Sequence, residues 1–227
     1  MLPLSLVLWV ASMIHAQENR QAPPAVISDP PPDPAYPATM AWPDIPSHGA
    51  KMYSVIYIAS GAGLHPTVVM LHGFPGNEKN FDLAYSVRRA GWNVLVPFYR
   101  GAWGSGGTFS FTHTLEDAQA SIDFLRQPEN VKKFRIDSDH IVLIGHSMGG
   151  FVAAYATAHE PKVFGAALIS AANLGPASVR QRASDPEFWE RWNDNASRLV
   201  GVSLTNMWGH PATLRSKSGH PLAPCWV

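Results

Sequence analysis

The sequence predicts an α/β protein in which a mostly parallel sheet is covered by helices on both faces. Short apolar runs without alternation, such as Thr67–Leu71 and His140–Gly145, are typical of strands buried on both faces. Stretches with helical periodicity separate these runs, and 46% of the residues are hydrophobic, enough for a large core. Strands that alternate with helices indicate βαβ units, whose right-handed crossovers place helices on both faces.

The strands are predicted from apolar, β-branched runs bounded by glycine and proline, and the helices from apolar residues spaced three or four apart. In chain order, the predicted elements are strand 52–59, strand 67–71, helix 77–90, strand 92–97, helix 114–126, strand 140–145, helix 148–159 and strand 163–170. Together they form a predicted core domain over residues 51–172.

Local signals support the predicted helix ends. In the first helix the apolar Leu83 and Val87 are four residues apart, and Gly91 follows at a position that commonly ends a helix. The second helix is predicted to begin at Thr114, whose hydroxyl would cap it, with Asp117 in the first turn, where a negative charge is favourable. The third helix is rich in small residues, which suits close packing on a sheet.

The N-terminal residues 1–16 predict a signal peptide and hence a secreted or periplasmic protein. Their apolar run is too short to span a bilayer, and Ala16 is the expected last residue removed. A buried N-terminal segment is the alternative. Residues 17–50 carry many prolines, which remove hydrogen-bond donors, so we predict an extended tether that is neither helix nor central strand. A proline-motif ligand for a partner is the alternative interpretation of this stretch.

Charge and cysteine content exclude several classes of function. The 17 basic and 17 acidic side chains give zero net charge, which leaves no basic field for a nucleic acid partner. Cys225 is the only cysteine, which excludes an internal disulfide and a cysteine-based zinc site. After the predicted signal, no stretch approaches the roughly 18 consecutive apolar residues of a membrane helix, so no membrane span is predicted.

The segment Gly145–Gly149 fits the pattern G-x-S-x-G directly after a buried strand and at the start of a helix. Such a turn is sharp, and side chains at Gly145 and Gly149 would collide with the neighbouring strand and helix. The turn lifts the Ser147 hydroxyl above the strand ends, so we predict that Ser147 is the catalytic nucleophile. His146 lies beside it but is poorly aimed as a base, because a general base must reach the serine oxygen from another loop.

A second motif, His72–Gly76, follows the strand 67–71. In hydrolases built on this strand–turn–helix arrangement, an N–H of this loop and the N–H after the nucleophile together hold the oxyanion of the tetrahedral intermediate. The corresponding donors here are Phe74 and Met148. Gly73 and Gly76 allow the loop to turn its amide inwards.

The two motifs, in this order, resemble those of the α/β-hydrolase family. The loop Tyr99–Gly107 is similar to that of dipeptidyl-peptidase and acylaminoacyl-peptidase-like members, and related esterases carry similar loops. The resemblance covers residues 52–170. It implies a Ser–His–Asp hydrolase acting on a small-molecule ester or a peptide, with no metal or organic cofactor, because hydroxyl, imidazole and amides suffice for acyl transfer. Epoxide hydrolases and haloalkane dehalogenases use an Asp nucleophile, so Ser147 argues against them.

The resemblance ends after Ser170. In the family an Asp or Glu and then a His follow the serine, on loops after two further strands. Here residues 173–206 predict a helical, cap-like segment, in which only 199–204 has strand composition. Residues 207–227 predict an irregular tail, because glycine and proline break every periodicity.

Some residues still satisfy the order of acid and then histidine. They are Asp185 or Asp194, followed by His210 or His220. Such a pair forms only if the tail folds back over the strand ends. Of the remaining histidines, His72 is predicted to be structural, packing and bonding beneath the oxyanion loop.

Three interpretations of function remain open at this stage. The first is a secreted serine hydrolase of which this sequence is a truncated form with little activity. The second is an intact short hydrolase with an unusual base. The third is a non-catalytic binding protein that keeps the α/β-hydrolase fold and its pocket. We rank the third last, because a binder has no reason to retain both the serine turn and the oxyanion loop.

Overall fold

A computed structural model describes residues 22–174, 187 and 194–202. Within these ranges the strands are β1 Thr39–Ala41, β2 Ile45–Ser47, β3 Ala50–Met52, β4 Ser54–Ile58, β5 His65–Leu71, β6 Asn93–Pro97, β7 Ile136–His146 and β8 Gly165–Ile169. The helices are α1 Pro24–Ile27, α2 Phe81–Arg89, α3 Phe111–Arg126, α4 Pro128–Phe134 and α5 Met148–His159.

The central sheet has the strand order β1-β4-β6-β5-β7-β8. Strands β6, β5, β7 and β8 run parallel, whereas β4 and β1 extend the sheet in antiparallel fashion. This arrangement confirms the predicted fold class. In the register of β5 with β7, Leu71 pairs with Gly145, so the loops that follow these two strands begin side by side at one edge of the sheet.

The two faces of the sheet support separate cores. Val68 and Met70 point to the face covered by α2, whereas Val69 and Leu71 belong to the larger core against α3 and α5. All four are nearly inaccessible, as expected for a strand buried on both faces. The continuous apolar runs in the sequence therefore reflect helices on both sides of the sheet.

Some helix predictions need correction. Helix α3 begins at Phe111, because the Ser110 side chain accepts the N–H of His113, so Ser110 and not Thr114 is the cap. Thr114 lies inside the helix and donates to the carbonyl of Phe111. Helix α2 begins at Phe81, four residues later than predicted. Helix α4 was not predicted at all.

Residues 22–50, the described part of the proline-rich stretch 17–50, are more structured than a tether. Pro24–Ile27 forms one helical turn with proline at its start, where a missing N–H costs nothing. Thr39–Ala41 pairs with β4 at the edge of the sheet, and Ile45–Ser47 forms a hairpin with β3. Ile45 is fully buried. The expectation that no helix forms here is therefore wrong, whereas the exclusion of a central strand agrees with the edge position of β1.

A buried ion pair joins this hairpin to the body of the domain. The fully buried Asp117 carboxylate accepts from the Ser47 hydroxyl at 2.7 Å, the Arg100 N–H at 2.8 Å and the Arg100 Nε at 2.6 Å. The guanidinium also donates to Glu116. Because Asp117 was expected only as a first-turn charge on its helix, this role was missed by the sequence analysis.

The segment 194–202 packs on the loop between β6 and α3. The Val200 N–H donates to the Gly101 carbonyl at 2.8 Å, and its carbonyl accepts the Phe109 N–H at 2.9 Å. Its described residues form a short helix followed by turns, so residues 199–202 are not a strand despite their strand composition.

Several predictions fall outside the described ranges. The signal peptide 1–16, the tail 207–227 and most of the cap-like segment 173–206 lie there and stay predictions. In the part of the chain that the structure describes, no helix has the length and apolar character needed to cross a bilayer.

Candidate active site

Ser147 occupies a strained turn between β7 and α5. Its backbone has φ of +53° and ψ of −117°, a conformation that non-glycine residues rarely adopt and that is concentrated at functional sites. The serine stands at the N-terminal end of α5, where the first amides have no intrahelical acceptor and the helix dipole is positive. The strained backbone of Ser147 thus lies at the turn that follows the parallel strand β7.

The two glycines of the pattern are required by contacts with backbone. A Cβ built on Gly145 would lie 2.0 Å from the carbonyl oxygen of Gly149. A Cβ built on Gly149 would lie 1.9 Å from the carbonyl oxygen of Leu71. Neither backbone neighbour can yield easily, so the close approach of α5 to β7 and β5 needs glycine at both positions. The predicted reason for the spacing G-x-S-x-G agrees with these contacts.

The turn is anchored through the backbone of Ser147. Its N–H donates to the Ile169 carbonyl at 3.0 Å, at the end of β8. Its carbonyl accepts the N–H groups of Gly150 at 3.0 Å and Ala172 at 2.8 Å. The side chain is half-buried, and within the described ranges its hydroxyl has no hydrogen-bond partner. The backbone of the turn is therefore tied down, while its hydroxyl is left available.

The loop after β5 lies directly against Ser147. A Cβ built on Gly73 would lie 3.1 Å from the Cβ of Ser147 and 3.2 Å from the carbonyl oxygen of His146. The Gly73 carbonyl accepts a hydrogen bond from His72 Nδ1 at 2.8 Å. In a trans peptide the carbonyl and the following N–H point in opposite directions, so this bond turns the Phe74 N–H away from His72. His72 therefore sets the direction of that amide.

His72 is a buried, neutral imidazole. Burial lowers its pKa from 6.5 to about 4, opposed by the hydrogen bond to Gly73 and reinforced by the charge of Lys79. Because a carbonyl can only accept, its proton must be on Nδ1. Nε2 is buried without a hydrogen-bond partner among the described residues, and the ring packs on Tyr99 at 4.5 Å between centroids. These properties fit the predicted structural role beneath the loop.

Two further side chains hold the same loop and were not predicted. Lys79 Nζ donates to the Gly76 carbonyl at 2.6 Å, and Trp103 Nε1 donates to the Pro75 carbonyl at 2.8 Å. Trp103 comes from the loop Tyr99–Gly107, whose glycine and aromatic content had marked it as similar to a family loop. No sequence pattern pointed to Lys79, which lies only a few residues beyond the motif.

The loop has an aromatic neighbourhood. The Phe74 ring lies 5.8 Å from Phe109 and 6.1 Å from Phe111, and these two rings are 5.9 Å apart. Phe109 and Phe111 are buried. The side chain of Phe74 therefore lies in an aromatic cluster that packs the loop after β5 against the start of α3.

The predicted acid and base candidates are mostly outside the described residues. Asp185, His210 and His220 all lie there. Asp194 is exposed at the start of a short helix, and within the described ranges its carboxylate has no hydrogen bond or ion pair. His146 Nδ1 is buried without a hydrogen-bond partner in the same ranges. The structure thus brings together Ser147, Gly73, His72 and the start of α5, and among the residues it describes no predicted acid lies with them.

The fold and site define an α/β protein with a serine on a sharp strand-to-helix turn and a glycine loop beside it. The chain belongs to the α/β hydrolase fold family, whose sequence profile matches residues 66–214. The predicted resemblance is therefore confirmed.

Curated relatives match only part of their own length. The chain is 30% identical over 135 residues to acylamino-acid-releasing enzyme 1 of Oryza sativa subsp. japonica, covering 52% of this chain and 16% of that enzyme. It is 26% identical over 149 residues to a 1-acylglycerol-3-phosphate O-acyltransferase of Arabidopsis thaliana, covering 63% of this chain and 32% of the relative. The chain thus spans between a sixth and a third of these relatives.

Solved structures show the same fold. The thermostable carboxylesterase EstE1 superimposes with a TM-score of 0.54 at 21% identity, over 75% of this chain and 61% of EstE1. A puromycin hydrolase superimposes with a TM-score of 0.52 at 22% identity, over 75% of this chain and 30% of the hydrolase. At these identities the likeness concerns the fold alone.

Proposed function

We propose that this protein is a serine hydrolase that cleaves ester or amide bonds through an acyl-enzyme on Ser147. The observation that carries the proposal is the strained Ser147 turn at the N-terminus of α5, with Gly73 packed against the Ser147 side chain. A turn of this cost persists only where the surrounding structure maintains it. A serine hydroxyl that is left available on a fixed backbone can act as a nucleophile when a neighbouring base activates it.

In the proposed reaction, the Ser147 oxygen attacks the carbonyl carbon of the substrate and loses its proton to a base. The negative charge that develops on the carbonyl oxygen is stabilised by the N–H groups of Phe74 and Met148. Collapse of the tetrahedral intermediate expels the alcohol or amine, which takes up the proton, and leaves an ester on Ser147. Water then repeats the sequence and releases the acid.

The oxyanion site is proposed to be formed before substrate arrives. The Gly73–Phe74 peptide is oriented by the buried His72, and the Met148 N–H is one of the first amides of α5, which lack an intrahelical acceptor. Preorganised donors of this kind stabilise developing charge without reorganisation, and removing one costs about 10²–10³ in rate in a well-studied protease.

The general base is proposed to be an imidazole reached from another part of the chain. His72 is unsuited, because it is buried and its pKa is lowered to about 4, which makes it a weak base, and because its Nδ1 proton is donated to Gly73. The order of the family leaves His210 or His220, with Asp185 or Asp194 as the acid. The names of the two curated relatives both describe an acyl group, which supports acyl chemistry but does not separate esters from peptides.

A fluorophosphonate probe tests the proposal, because it phosphonylates an activated serine. We expect covalent labelling of the full chain, located at Ser147 by mass spectrometry and absent in Ser147→Ala. Ser170→Ala is the matched control, since Ser170 also has positive φ directly after a parallel strand and should not affect labelling. If the folded protein is unlabelled, or is labelled at another serine, the proposal is wrong.

The same assay locates the base. The labelling rates of His210→Ala and His220→Ala are compared with the rate of the unsubstituted chain. A loss of about 10³-fold or more in one variant assigns the base. If neither change lowers the rate, the base is not in the tail.

A further inference from the structure

The loop after β5 is held at three of its carbonyl groups by three side chains. His72 Nδ1 donates to the Gly73 carbonyl at 2.8 Å, and Trp103 Nε1 donates to the Pro75 carbonyl at 2.8 Å. Lys79 Nζ donates to the Gly76 carbonyl at 2.6 Å. A peptide unit is planar, so a carbonyl held in place also holds the amide on the other side of its plane. Three peptide planes of one short loop are thus oriented by side chains.

Lys79 and Trp103 act on the two planes that flank Gly76. Because the peptide planes before and after Gly76 are both held, the backbone torsions φ and ψ of Gly76 are fixed, and its φ is +95°. Pro75 transmits this orientation towards Phe74, because its ring restricts φ. The space around Gly76 is already filled, since a Cβ built there would lie 2.4 Å from Trp103 Nε1 and 2.7 Å from His72 Cε1. The Gly76 end of the loop is therefore fixed, and only Pro75 separates it from Phe74.

The two side chains also support each other. Lys79 Nζ lies 3.8 Å from the centroid of the Trp103 ring and 5.4 Å from that of Phe98. Lys79 is buried at 9% exposure, and burial lowers the pKa of its ammonium group, although the charge of Glu78 opposes this. A buried lysine is unfavourable unless it is well paired. Here the Gly76 carbonyl and the aromatic rings provide the pairing.

We propose that Lys79 and Trp103 are positioning residues of the oxyanion hole. They hold the Pro75 and Gly76 carbonyls so that the Phe74 N–H is aimed at the substrate oxyanion before the substrate binds. This inference rests on the proposed function of Ser147. It extends that function to two residues that are neither the nucleophile nor the oxyanion donors, and it links the loop after β6 to the loop after β5.

The test measures phosphonylation of Ser147 by a fluorophosphonate probe in the full chain, with the rate separated into the maximal rate constant kinact and the half-saturation constant KI. Lys79→Met removes the ammonium group, and Trp103→Phe removes the indole N–H but keeps an aromatic ring. Matched controls are Lys51→Met and Trp42→Phe. Lys51 also lies over an aromatic ring, at 5.6 Å, and Trp42 is 68% exposed.

A misaimed donor lowers transition-state stabilisation more than initial binding, so we expect kinact to fall about 10- to 100-fold in each variant, with KI changed less than about twofold. Because the two residues hold one loop, the double variant should lose less than the product of the single losses. The two control variants should label at the rate of the unsubstituted chain.

Circular dichroism melts ensure that each variant is compared in the folded state. If Lys79→Met does not fold, Trp103→Phe alone decides the inference. Unchanged kinact in a folded Trp103→Phe, or a change confined to KI, overturns the positioning role while leaving Ser147 as the nucleophile. If the unsubstituted chain is not labelled at Ser147, the proposed function and this inference both fail.

Discussion

The neutral state of His72 makes the stability of the protein dependent on pH in a defined window. His72 is 1% exposed and its pKa is lowered from 6.5 to about 4, chiefly by burial. Between these two values the unfolded chain binds a proton that the folded chain excludes. The free energy of unfolding therefore rises with pH across the window and is independent of this group above about pH 6.5.

The size of this effect follows from the two pKa values. A difference of one pKa unit corresponds to about 1.4 kcal/mol, so across the full window from pH 6.5 to pH 4 His72 changes the free energy of unfolding by about 3 kcal/mol. At pH 4.5 most of this free energy has been lost. For a chain of this size, 1 kcal/mol shifts Tm by roughly 2–4 °C, so His72 alone should lower Tm by about 5–10 °C between pH 7.5 and pH 4.5.

The substitution His72→Asn isolates the contribution of this one group. An asparagine amide can still donate to the Gly73 carbonyl but does not titrate. At pH 7.5 we expect the Tm of this variant to be lower than that of the unsubstituted protein. Between pH 7.5 and pH 4.5, however, its Tm should fall by about 5–10 °C less than the Tm of the unsubstituted protein. Thermal melts at both pH values, followed by circular dichroism, measure the difference.

The matched control is His48→Asn, since the His48 side chain is 57% exposed and asparagine tolerates its positive φ. This variant should keep the pH dependence of the unsubstituted protein. If His72→Asn and the unsubstituted protein lose the same amount of Tm between pH 7.5 and pH 4.5, His72 is not buried and neutral. His72 would then also not hold the Gly73 carbonyl, and with it the Phe74 amide, as described.

Two further substitutions test the packing around the site. Asp117→Ala should lower the free energy of unfolding by about 3–5 kcal/mol, because the buried guanidinium of Arg100 loses its main partner. The control Asp123→Ala, on the exposed side of the same helix, should lower it by less than about 0.5 kcal/mol. Urea denaturation measures the stability of the two variants, and equal midpoints would contradict the buried ion pair. Gly149→Ala places a methyl group 1.9 Å from the Leu71 carbonyl oxygen, so it should abolish labelling of Ser147 by a fluorophosphonate. Gly165→Ala, where a Cβ would meet nothing within 4 Å, should leave labelling unchanged, and labelling of Gly149→Ala at the normal rate would show that α5 does not approach β5 as described.

The sequence alone determined the fold class and the location of the serine turn. Continuous apolar runs such as Thr67–Leu71 indicate burial on both faces, because each face of the strand must meet a helix. A Cβ on Gly149 would meet Leu71 on the neighbouring strand β5, whereas the collision at Gly145 is local, because it lies within a single strand–turn–helix unit. For the same reason, the helix that follows Ser147 was predicted with its observed bounds, Met148–His159.

Only the tertiary structure decided which distant side chains support that site. Trp103 donates a hydrogen bond to Pro75, which lies 28 positions earlier in the chain, and Ser47 donates one to Asp117, 70 positions later. Sequence periodicity does not predict pairs so far apart. The proline-rich stretch was misjudged for a related reason, because the strand Thr39–Ala41 forms only when β4 is present to pair with it. Lys79 is the clearest case. Its buried charge is unfavourable in isolation and is acceptable only where the Gly76 carbonyl and the Trp103 ring meet it, which is a property of the folded loop and not of its sequence.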